Sequence, residues 1–148
     1  MLKRAGITIK KEEQKYIINP IHSIKGGGGY ASQPYIKEYK LSLDQLLNLI
    51  LKILDLSMEN TERPTDFKAL QKEYLNSMGV KTMKALHDGS IYLSANIKDN
   101  VITFTPWENK GAKEGFRGFK EDKSVQLSLN SSEEKLIEAL ETAIARCR

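Results

Sequence analysis

The chain has 148 residues, 40% hydrophobic and 28% charged, with a formal net charge of +4 and a pI near 9.1. That length supports one core without covalent staples, and the lone cysteine, Cys147, excludes an internal disulfide and a cysteine-rich metal site. The most apolar stretch, 41–56, is broken by Asp44, Asn48, Lys52 and Asp55, which excludes a membrane span, and residues 1–9 lack the apolar run of a secretory leader. A soluble cytoplasmic protein of one domain, 1–148, is the expectation.

The first predicted elements are two short strands, Gly6–Lys10 and Lys15–Pro20, around a charged turn. Pro20 places the end of the second strand there, or puts that strand on an edge. The basic excess of the opening residues, Lys3, Arg4, Lys10, Lys11, Lys15 and Lys25 against Glu12 and Glu13, reads as a solvated arm. Gly26–Gly29 reads as a mobile connection, because no Lys-Ser/Thr follows to make a phosphate loop. Tyr35–Leu41 alternates and reads as a third strand.

Ser42 to Met58 is the clearest helix. Ser42 and Gln45 form a capping box, and Leu43, Leu46, Leu47, Ile50, Leu51 and Leu54 supply a core-facing stripe. After a polar link ending at Pro64, Thr65 or Asp66 caps a second helix carrying Phe67, Leu70, Tyr74, Leu75 and Met78, and Gly79 supplies its left-handed end. A short turn of helix covers 80–86. Ser90–Ile97 and Val101–Thr105 alternate on either side of Asp99-Asn100 and predict a hairpin. Ser124–Leu129 alternates as a strand. Ser131 or Ser132 caps a terminal helix, with Leu136, Ile137, Leu140, Ile144 and Cys147 as its buried stripe.

Helices and strands are segregated along the chain. This predicts an α+β fold, a mainly antiparallel sheet of about five to six strands packed with three main helices on one face.

Catalytic chemistry is not visible. His22 and His87 lie in no metal-ligand spacing and each is best read as structural; as a pair they would be needed by a small ribonuclease. Glu133, Glu134, Glu138 and Glu141 read as a solvated helix face, and Cys147 as an inert buried thiol. No enzyme activity, metal or cofactor is expected.

Residues 107–119 differ from the rest of the chain. Here Gly111, Gly115 and Gly118 interleave with Trp107, Phe116, Phe119 and the cations Lys110, Lys113 and Arg117. Such a loop could stack and neutralise a single-stranded nucleic acid, or anchor a protein partner. Glu108, Glu114, Glu121 and Asp122 offset the positive charge nearby and weigh against phosphate binding.

The series Gly79-Val80-Lys81-Thr82-Met83-Lys84-Ala85-Leu86, then Ile102-Thr103-Phe104-Thr105-Pro106 with Lys110-Gly111 and Gly115-Phe116, then Ser131-Ser132-Glu133-Glu134, resembles the proteobacterial CdiI family of immunity proteins from contact-dependent growth inhibition. The resemblance covers about the last half of the chain. It implies a non-enzymatic cytoplasmic inhibitor that binds the cognate C-terminal toxin domain of CdiA, a nuclease, in a stoichiometric complex. No direct contact with nucleic acid or membrane is implied, and the oligomeric state stays open.

A cover for a phosphate-binding site should present carboxylates. The interface candidates are therefore Asp55, Glu59, Glu62 and Asp66 on the interhelical link, the glutamates of the last helix, and Trp107, Phe116, Arg117 and Phe119 on the loop. Strand addition to an exposed edge at Ile7–Lys10 or Tyr35–Leu41 is a further mode.

Overall fold

The computed structural model describes residues 1–148. Its elements are β1 (Lys3–Lys10), β2 (Lys15–Ser23), β3 (Gly29–Ala31), β4 (Ile36–Tyr39), α1 (Leu43–Leu54), α2 (Phe67–Met78), α3 (Met83–His87), β5 (Ser90–Lys98), β6 (Val101–Pro106), β7 (Glu108–Asn109), β8 (Phe116–Arg117), β9 (Val125–Ser128) and α4 (Glu133–Arg146). The main sheet is antiparallel, in the order β3-β2-β1-β5-β6-β9, with β4 also on β2; β7 and β8 form a separate ribbon. The fold is α+β, as the segregated elements predict.

Local chemistry accounts for the boundaries. Ser42 and Gln45 complete both halves of the predicted capping box on α1. Asp66 caps α2, and Gly79 ends it at φ 75°, a conformation in which a Cβ is strained. Asp99 and Asn100 both take positive φ, 51° and 62°, so their two-residue turn joins β5 to β6 with the twist that a tight hairpin needs.

Two expectations are corrected. The strand through Lys15–Pro20 does not stop at Pro20. It runs to Ser23, because β4 stops pairing at Ile18 and β3 begins at Ile21, and the proline sits in the gap between those partners. Ile7–Lys10 is no edge either, since β1 is paired on both sides by β2 and β5; of the two candidates only β4 is peripheral.

The larger correction concerns the layers. Ala5, Ile7, Ile9, Ile18, Leu93, Ile102 and Phe104 face α1 and α4, and this side holds the main core. The opposite face is covered too. There Ile17 packs with Met78 of α2 and Leu86 of α3, supported by Tyr35, Tyr74 and Leu75. Adjacent Ile17 and Ile18 are both buried because successive side chains of a strand point to opposite faces and each face has its own helices.

Residues 55–66 carry the chain from one face to the other across the end of the sheet. Ser57 Oγ donates to Ile21 O at 2.6 Å and accepts from Arg4 N at 2.9 Å, while Met58 N donates to His22 Nδ1 at 3.1 Å. Nδ1 therefore serves as an acceptor, and burial lowers the His22 pKa below its ordinary 6.5. Below pH 6.5 the unfolded chain binds a proton at this ring that the folded chain resists, so stability falls as pH drops from 6.5 through the folded pKa and is flat beneath it. As pH falls below 6.5, the thermal midpoint of the wild type should drop more steeply than that of His22→Gln. Parallel curves would contradict the assignment.

Candidate functional site

α2 does not lie flat on the sheet. Its C-terminal half is seated through Met78, the one buried residue of the helix. Its N-terminal half stands off, leaving Phe67 49% exposed. Between this half and the sheet lies a groove of about 770 Å³.

Ser94, Asn96 and Thr105 from β5 and β6 form part of the floor; Phe67, Leu70 and Gln71 of α2 form one wall; Tyr30 and Ala31 of β3 close one end, and Trp107 with Phe116 the other. The floor residues alternate with the core residues Leu93, Ala95 and Phe104, so the same period-two pattern that fills the main core leaves a partly polar surface on the reverse.

The aromatic end is fixed by stacking and hydrogen bonds. Phe116 stacks on Tyr92 with centroids 5.1 Å apart and meets the His87 ring at 4.5 Å. Trp107 Nε1 donates to Ser94 Oγ at 2.9 Å. Asn109 Nδ2 donates to His87 O at 2.6 Å and Ser90 O at 2.9 Å, and Asn109 N donates to Arg148 O at 2.6 Å. A segment rich in glycine is thereby tied to α3, β5 and the C-terminal residue. Burial pushes the pKa of the Tyr92 phenol upward, which keeps it neutral.

The sequence-derived candidates divide accordingly. Trp107 and Phe116 line the groove; Asp66 caps the helix whose first residue, Phe67, lines it from the other side. Two candidate regions far apart in sequence thus flank one cleft. Asp55 is engaged elsewhere, bonded to Lys3 Nζ at 2.7 Å beyond the end of α1. Glu59 and Glu62 lie on the link, half-buried and exposed. Arg117 is exposed and donates to Glu114 O at 2.7 Å. Phe119 lies outside the groove, with Lys123 Nζ 4.5 Å from its ring centre. Exposed apolar side chains gather on the same link: Leu56 and Met58 are 48% and 53% exposed, and Phe67 follows them.

His22 and His87 are held by different partners, His22 by Met58 N and the edge of Tyr30, His87 by Met83 O and Phe116. No group of three His, Cys, Asp or Glu residues is arranged to hold a metal ion. No helix is long and apolar enough to cross a membrane. The groove was not evident from sequence. Its signal was the pairing of an amphipathic α2 with buried residues on both faces of β2.

Comparison with solved structures finds the same fold in two proteins of low identity. The protein of unknown function NMB0488 from Neisseria meningitidis matches with a TM-score of 0.78 and 18% identity, over 100% of this chain and 96% of that one. A chain of the CdiA-CT/CdiI toxin and immunity complex from Yersinia pseudotuberculosis matches with a TM-score of 0.79 and 15% identity, over 100% and 98%. No curated protein sequence matches. The family model CdiI, described as CDI immunity protein, matches residues 30–147, a span from β3 through α4 that takes in α2, the hairpin and the groove's aromatic end. This chain belongs to the CdiI family of CDI immunity proteins.

Proposed function

We propose that this chain neutralises the C-terminal toxin domain of its cognate CdiA, a nuclease, by binding it one to one in the cytoplasm without chemistry of its own, and that the groove under α2 receives the toxin. The observation that carries this reading is the half-seated helix: Phe67 and Leu70 line a cleft open to solvent, and the link that precedes the helix exposes Leu56 and Met58. Exposed apolar side chains beside an open cleft mark a protein-binding surface.

The nucleic-acid reading has less support. Trp107 and Phe116 are engaged by Ser94, Tyr92 and His87 and offer no free stacking platform. Lys110 is bonded to Glu108 at 2.8 Å, which raises its pKa and cancels its field toward a phosphate.

The test is to express the CdiA C-terminal domain encoded beside this chain with and without the chain, following growth and titrating the purified pair by calorimetry. Rescue with one-to-one binding is expected. Absence of both, with salt-sensitive binding to RNA, would contradict the proposal.

A further inference from the structure

The groove carries a single charge. Arg4 enters it from β1, and every other residue lining it is neutral. Lys3 and Arg4 are adjacent on a strand and therefore point to opposite faces, which gives them different fates. Lys3 meets Asp55, whereas the ion pairs of the chain, Lys3–Asp55 and Lys110–Glu108, leave the guanidinium of Arg4 without a carboxylate. It lies against Gly29, where a Cβ would collide with Nη1, so the absent side chain makes room for the cation. Its cross-strand neighbours are Ile21 and Asn96, which carry no charge.

A partly buried guanidinium with donors to spare is poorly compensated, and its planar fork matches a carboxylate. We infer that the groove receives a toxin segment bearing an aspartate or glutamate, whose carboxylate pairs with Arg4 while apolar neighbours on that segment lie against Phe67 and Leu70. This rests on the reading that the toxin occupies the groove, and it names the chemistry of the occupant. The same charge disfavours the cationic, phosphate-binding strip of a nuclease as the part that enters.

The experiment is calorimetric titration of the CdiA C-terminal domain into the wild type, Arg4→Gln, Arg4→Lys and Asn96→Trp, with thermal unfolding of each as a folding check. Arg4→Gln should weaken binding roughly 30-fold or more, with a shallower salt dependence, and Arg4→Lys should lose less. A further variant, Arg4→Glu, should lose binding and regain it with one Asp→Lys or Glu→Lys replacement in the toxin. Full binding by Arg4→Gln together with loss in Asn96→Trp overturns the carboxylate and leaves the groove. Full binding by both overturns the groove reading itself. Binding of RNA in place of the toxin, lost in Arg4→Gln, would also overturn the inference.

Discussion

Asn96→Trp is expected to abolish protection against the toxin while leaving the protein folded. Asn96 stands on the groove floor, directly across from Arg4, and makes no side-chain hydrogen bond within the chain, so its replacement removes no internal contact. Its backbone is held between β1 and β6 by continuous antiparallel register, and tryptophan is well tolerated on a strand. The indole would occupy the space between the floor and α2. A side chain that must be accommodated at the centre of an interface costs on the order of 4 kcal/mol, about a thousandfold in affinity. Growth of cells co-expressing the toxin, beside circular dichroism of the purified variant, reads both halves. A folded variant that still protects would mean that the toxin binds elsewhere than the groove.

Phe104→Ala should have the largest effect on the fold. Phe104 is fully buried on β6, in the core cluster that α1 and α4 cover. Truncating such a ring costs about 3–5 kcal/mol in lost transfer energy and cavity, against a total stability on the order of 5–15 kcal/mol for a domain. Phe67→Ala removes the same ring from a position 49% exposed, where half-burial makes the cost about 1 kcal/mol. Urea unfolding should therefore move its midpoint far for the first variant and little for the second, with unchanged slopes. Equal shifts would mean that Phe67 belongs to the core, contrary to its place on an open rim.

Much of the fold was legible because local signals and tertiary packing agree. Ser42 with Gln45, Gly79 and Asp99-Asn100 each fix a boundary by backbone chemistry that no distant contact overrides. The two-sided sheet was less legible. Its mark was the pair Ile17-Ile18, consecutive apolar residues where alternation would indicate one solvated face. β3 was hidden by its shortness and by the glycines before it.

The candidate site was readable only in pieces. Trp107 and Phe116 stood out by composition, but sequence could not say that Ser94 and Tyr92 would hold them as the end of a cleft. Asp55 looked free until the fold placed Lys3 beside it. Arg4 was read with the other cations of a solvated arm, because the periodicity that sends it to the opposite face from Lys3 has meaning only once β1 is known to be central in the sheet.

The most direct measurement is amide hydrogen exchange of this chain with and without its CdiA C-terminal domain. Toxin bound in the groove should bring new protection to α2, to β3 and to residues 107–117, the three walls of the groove, and leave α1 and α4 unchanged. Protection confined to α1 and α4, with the groove walls exchanging as in the free protein, would contradict it.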